Sequence, residues 1–180
     1  MIAIVAALVL AQQSPVSVEG SGAYSASLRP AYGGFVGGSY AHRFSELWIG
    51  EAGALIGYQA EPYDVFDQYL GGAHSFGATH RLQVLGTLGP RFEVWRFTLS
   101  PHLLIGWSKV WLDGRFVNEK LGIDGKLVDT VSAFTLGLGA SIAFRIVGPV
   151  HAKFRALAPL PFASGVTGYI TFSLGVLVEL

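Results

Sequence analysis

The stretch "GGAHSFGATHR" brings His74, Ser75 and His80 close together, with Asp64 and Asp67 a few residues upstream. A hydroxyl, an imidazole and a carboxylate are the parts of a nucleophile activated by a base and oriented by an acid. Such a set works only when its members lie within hydrogen-bond reach. His74 and Ser75 are chain neighbours, and neighbours in an extended strand point to opposite faces. His74 is therefore read as a loop or rim residue rather than as a base. Phosphate-cradling glycine loops, metal-ligand spacings and nucleotide fingerprints do not occur. The chain has no Cys, so neither a thiolate metal site nor a disulfide can form. No cofactor and no metal are expected.

A second set of ionisable residues is spaced differently. Glu19, Glu51, Arg91, His102, Arg145, His151, Lys153, Arg155 and Glu179 stand in stretches of small and polar residues that alternate with apolar ones, as does Arg81. If that alternate face lines a narrow interior, each charge must be paired or hydrated. A network joining Glu19 and Glu51 to Arg145, Lys153 and Arg155 is the expectation, with Arg91 and Glu179 in the same set.

Composition says what kind of interior this is. Of 180 residues, 13% are charged and 24 are Gly, against about 25% charged in ordinary globular proteins. Low charge with 51% hydrophobic residues points to a membrane, and zero formal net charge argues against a nucleic-acid footprint. Yet after residue 11 no run approaches the roughly 20 apolar residues a spanning helix needs. The other way through a bilayer is a closed β-barrel, in which every backbone N–H and C=O is paired. "MIAIVAALVLA" reads as a secretory signal cut after Ala11, with Val9 and Ala11 as the small residues at the cleavage site. The signal occupies 1–11 and the barrel domain 12–180.

Turn chemistry divides that domain into eight candidate strands, near 16–28, 34–43, 47–59, 77–91, 97–111, 131–146, 149–158 and 166–180. Connections near 44–46, 92–96 and 147–149 are short, while 60–76 and 112–130 are long and polar. Antiparallel outer-membrane barrels have even strand numbers, short periplasmic turns and longer external loops. The fold class is thus all-β, an eight-stranded antiparallel up-and-down transmembrane β-barrel with both termini periplasmic.

Parity says which way the strands face. In the last strand Ile170, Phe172, Leu174, Val176 and Val178 oppose Thr171, Ser173, Gly175 and Glu179. In the sixth, Phe134, Leu136, Leu138, Ile142 and Phe144 oppose Thr135, Gly137, Gly139, Ser141 and Arg145. The second strand has no clear parity. Greasy faces turned inward would leave an outer surface of Ser, Thr and Gly, too bland for a soluble protein. Turned outward, they leave small residues and Gly to crowd a lumen only just wide enough for side chains. Trp48 and Trp95 fall at the periplasmic strand ends, and Trp107 and Trp111 at the external end of the fifth strand. Two such aromatic girdles flank the apolar band of an outer-membrane barrel.

The stretch "GGFVGGSYAHRFSELWIGEAGALIGY" resembles the down-turn-up hairpin of small OmpA/OmpX-type outer-membrane barrels, and the likeness extends over residues 16–180. One departure is Leu180 at the terminus, where such barrels end in Phe or Trp, the residue read by the insertion machinery. The resemblance implies a monomer in the bacterial outer membrane whose partners are its lipids and that machinery. It implies a non-enzymatic structural or surface-interaction role, with loops 60–76 and 112–130 as the place for a surface ligand. For the charge network it implies either a plug or a gate across a narrow water path, and a pore with a basic surplus would favour anions. Lipid A deacylases and acyltransferases also occur among small barrels, and they keep a lipid-modifying enzyme open as an alternative. A soluble barrel holding a ligand in an apolar cavity comes last.

Overall fold

A strand whose alternate residues differ in polarity has two unlike faces, and eight of them in succession make a sheet that can close on itself. The computed structural model describes residues 16–26, 30–45, 48–67, 72–162 and 168–180. The expected signal, 1–11, lies outside them. The strands are β1 (Val16–Ala26), β2 (Ala31–Arg43), β3 (Ile49–Asp67), β4 (Ala73–Val94), β5 (Phe97–Asn118), β6 (Ile123–Val147), β7 (Val150–Phe162) and β8 (Ile170–Glu179). Each pairs antiparallel with its chain neighbour, and β8 closes the ring on β1. Gly20 illustrates the closure, with Val36 on one side and Val176 on the other. A closed ring leaves no edge in the region all eight strands share.

The greasy faces point outward. Leu138 is 64% exposed and Leu174 68%, whereas Leu85 and Leu104, on the opposite parity, are 0% and 1% exposed. A ring of exposed Val, Leu, Ile and Phe around every strand is far larger than a soluble monomer tolerates, and it matches the lipid-facing band of a transmembrane barrel. The parity of β2 is now clear: Phe35 turns in, while Tyr32, Val36 and Tyr40 turn out.

One end of the barrel is closed by tight turns. The β4–β5 turn holds Trp95 at φ 56°, and the β6–β7 turn holds Gly148 at φ 53°. Glycine occupies that left-handed region without a Cβ penalty, but a tryptophan there is strained.

The other end corrects the sequence reading. Residues 60–76 and 112–130, expected as loops, are mostly strand. β3 and β4 stay in register from Glu61↔Thr79 to Asp67↔Ala73, and β5 and β6 from Leu112↔Asp129 to Asn118↔Ile123. Cross-strand contacts hold these extensions. Arg115 donates from Nε to Asp124 Oδ1 at 2.7 Å, and the Phe66 and His74 rings meet at 6.4 Å. Gly77 and Gly114 leave the space into which Tyr63 projects its hydroxyl. Past the barrel rim both faces of a hairpin are solvated, so no apolar period marks the strand.

Candidate functional site: the lumen and the projecting strands

The interior is stacked in three layers. At the short-turn end lies a layer of charge. Lys153 Nζ is 2.8 Å from Glu19 Oε2, and Arg155 donates to the other oxygen of the same carboxylate. Arg91 Nη2 donates to Glu179 Oε1 at 2.6 Å, His151 Nε2 lies 3.3 Å from Glu179 Oε2, and Ser100 Oγ donates to Glu51 at 2.9 Å. Arg145 stands at the rim, half-exposed and 3.6 Å from Glu179. Three carboxylates, Glu19, Glu51 and Glu179, thus face three buried cations, Arg91, Lys153 and Arg155. The arrangement brings Glu19 to Lys153 and Arg155, and it brings Arg145 to Glu179 rather than to Glu19. Glu51 meets a hydroxyl and lines one cavity with Arg91, Lys153 and Glu179. Cavities of about 10 Å³ adjoin this layer, each about enough for one water molecule.

The middle layer is apolar. Ala23, Phe35, Leu55, Leu85, Leu104 and Leu157 form one buried cluster across the bore. Sequence reasoning missed it, having assigned the lumen to small residues. The signal was present as apolar doublets in mid-strand: Leu55-Ile56, Val84-Leu85 and Leu103-Leu104, where alternation breaks because both faces are greasy. Glycines make room for this layer. A Cβ on Gly57 would enter the Phe35 ring, and one on Gly37 would come within 2.6 Å of Leu55 Cδ2.

Above it is a polar layer with Arg81 as its one named charge. Ser25 and Thr171 share a hydrogen bond of 2.7 Å, and Gln59 Nε2 donates to Ser25 Oγ at 2.7 Å. Gln83 donates to the Tyr169 hydroxyl. Ser108 and Thr135 are 2.8 Å apart, and the Arg81 guanidinium sits 3.5 Å over the Tyr169 ring. Each buried donor that finds an acceptor avoids the cost of an unpaired polar group.

Both sets of tryptophans face outward or lie at the rims. Trp48 is 58% exposed with its ring 6.3 Å from Phe92, and Trp95 is 84% exposed beside Arg96 and Phe97. At the other end Trp107 is exposed, and Trp111 stacks on His80 at 5.2 Å, while Tyr58 shares a 2.6 Å hydrogen bond with His80 Nδ1. His74 Nε2 lies 2.5 Å from Asp64 Oδ1. Ser75 opposes Val65 and Phe116 on the other face of β4, so hydroxyl and imidazole are separated by the sheet. Among the described residues no group of three His, Cys, Asp or Glu is placed to hold a metal.

Outside the membrane-spanning part, the β5–β6 extension carries one resolved electrostatic pair. Hydrogen bonds from Arg115 hold the Asp124 carboxyl below its ordinary pKa, and the same contact pushes the Arg115 guanidinium up.

No family model and no curated protein matches the chain. Solved structures do. The chain superposes on a major outer membrane protein from Thermus thermophilus with TM-score 0.60, 12% identity, 93% of this chain and 99% of that one. The attachment invasion locus protein Ail of Yersinia pestis, in complex with the heparin analogue sucrose octasulfate, gives TM-score 0.51 at 13% identity, covering 93% and 97%. Neisserial surface protein A gives TM-score 0.51 at 13% identity with the same coverage. Closed eight-strand topology, outward apolar band and filled bore are thus joined by likeness over nearly the whole length, and the chain has the fold of the small OmpA/OmpX-type outer-membrane β-barrels.

Proposed function

We propose that this chain is a non-enzymatic barrel of the bacterial outer membrane, exported by residues 1–11, with a closed lumen and a role exerted at the cell surface. Both termini lie in the periplasm at the short-turn end, and the tryptophans at 48, 95, 107 and 111 mark the two membrane interfaces. One observation carries the reading: three successive layers fill the bore while four strands run on past the rim. Glu19, Glu51, Arg91, Arg145, Lys153, Arg155 and Glu179 act as part of a plug, and the leucine layer seals what they leave. The projecting strands β3–β6 offer the surface. Acidic residues outnumber basic ones on them, so the sulfated ligand of the Yersinia protein is not carried over to this chain.

The test joins the two hairpins at the rim, replacing 62–78 and 113–128 by short Asn-Gly turns. Cells displaying the intact barrel adhere to an epithelial monolayer, and cells displaying the trimmed barrel do not. Equal adherence of both, or none by either, overturns the surface role. The second reading, a narrow pore, is favoured by the cavity between Glu51, Arg91, Lys153 and Glu179. It requires conductance steps in a planar bilayer that change on Glu51→Gln or Arg155→Gln. A lipid A-modifying enzyme requires altered lipid A on expression that Ser75→Ala abolishes.

A further inference from the structure

The cations of the bore are unevenly paired. At the short-turn end Arg91, Lys153 and Arg155 each meet a carboxylate. Arg81 stands apart from them. It opposes Gln59 on β3 and Val110 on β5, in the polar layer at the foot of the projecting sheet. None of the ion pairs among the described residues includes it. Its guanidinium sits 3.5 Å over the Tyr169 ring, and its Nε is buried without a hydrogen-bond partner. Beside it Gln59 is 1% exposed. That side chain donates from Nε2 to Ser25 and keeps Oε1 buried and unpaired. A cation and an acceptor left unsatisfied side by side cost free energy until something completes them.

The wall above carries the opposite sign. Gln59, Arg81, Val110 and Val131 oppose one another across β3–β6, and Glu61, Thr79, Leu112 and Asp129 form the next row outward. Two residues separate the rows, about 7 Å along the strands. Both rows share the parity of Leu55, Leu85, Leu104 and Ala133 and so belong to the inner face. Lys109, Arg115 and Lys126 have the outward parity, which leaves Arg81 as the one inner cation of β3–β6 from this row outward. Glu61 and Asp129 make no ion pair among the described residues. Asp129 Oδ1 accepts the Thr130 N–H at 2.7 Å. One row higher, Tyr63 projects its hydroxyl into the space left by Gly77 and Gly114, which lays an aromatic ring on the same face.

We propose that the outer mouth of the barrel binds a dipeptide-like zwitterion, its carboxylate on Arg81 and its ammonium between Glu61 and Asp129. The inference rests on the surface role proposed above and names its ligand class. A guanidinium takes a carboxylate through a two-bond fork, and stacking on Tyr169 fixes that fork before the ligand arrives. In an extended dipeptide the amide N–H next to the carboxylate supplies the donor that Gln59 Oε1 lacks. Its ammonium, at the far end, reaches the acidic row and has the Tyr63 ring as a neighbour. A plain anion would meet two carboxylates on its way in, and a plain cation would leave Arg81 unpaired. Charge of both signs in that order is what the mouth selects. Val110, Leu112 and Val131 on the same rows favour small apolar side chains.

The test titrates alanyl-alanine into the full barrel in detergent micelles and follows the backbone amides by NMR. Saturable shifts appear around Glu61, Arg81 and Asp129. N-acetyl-alanyl-alanine lacks the ammonium and alanyl-alaninamide lacks the carboxylate, and each binds about tenfold more weakly or worse. Arg81→Met keeps the barrel's heat-dependent gel mobility and loses alanyl-alanine by a similar factor. Glu61→Gln with Asp129→Asn alters only the rim, so it decides the matter even where Arg81→Met does not fold. That double variant weakens alanyl-alanine and tightens the acetylated peptide. No saturable shifts, equal affinity for all three peptides, or a double variant that binds them as wild type does would overturn the proposal. Adherence by the trimmed barrel sinks the surface reading, whereas adherence lost on trimming with no peptide binding sinks this site alone.

Discussion

At the scale of single residues, buried charge decides most. Glu19 sits between Lys153 and Arg155 with all three side chains buried. Removing one partner of a buried pair leaves an uncompensated charge, at a cost of about 3–5 kcal/mol. Glu19→Gln should therefore unfold at lower urea concentration than wild type, and replacing Glu19 and Arg155 together by Leu, which leaves Lys153 to the cavity it shares with Glu51, should recover most of the loss. If the single variant unfolds with wild type, the layer is not held by this pairing. Arg115 and Asp124 offer the exposed contrast. A carboxyl whose folded pKa is depressed adds stability above its unfolded value and loses it as pH falls through the folded one. NMR titration should find the Asp124 carboxyl below its ordinary value, returning there in Arg115→Gln. At high salt the difference should shrink, because both groups are exposed.

At the scale of elements, the strands are fitted to each other through glycine. Gly57 on β3 leaves the space that the Phe35 ring of β2 fills. Gly57→Ala overpacks that contact and should cost about 1–3 kcal/mol, measured as a lower unfolding midpoint, while Phe35→Leu in the same chain should restore it. A midpoint unmoved by Gly57→Ala would mean the ring has room elsewhere. Leu85 tests the apolar layer from within. Leu85→Ala should cost about 2–5 kcal/mol, far more than Leu138→Ala on the lipid side, whose surroundings refill with acyl chains. These elements were unequally legible. Alternation marked the other strands where one face meets lipid, because a lipid face admits only apolar side chains, but it left the glycine-rich second strand without a clear parity. It missed the extensions of β3–β6, where water bathes both faces. It also missed the inward leucines, which stand beside outward ones and look like a lapse in the pattern.

At the scale of the whole molecule, closure of the ring is the property to measure. An intact barrel resists SDS until heated, so boiled and unboiled samples of the membrane fraction should run at different mobilities. In planar bilayers the wild type should show no steps, because the leucine layer crosses the bore. Opening that layer with Leu85→Ser and Leu104→Ser together should produce small conductances. Steps of unchanged size in wild type and double variant would place the path elsewhere.

Sequence by itself determined that this chain is a membrane barrel of eight antiparallel strands with its greasy face outward. The reason is local: lipid imposes period-2 polarity on every strand, and turn residues mark the short connections. Tertiary structure decided what lies across the bore, which carboxylate meets which cation, and how far the sheet projects. Those depend on register between strands distant in the chain. Glu19 reaches Arg155 and Arg91 reaches Glu179 only once β8 has closed on β1.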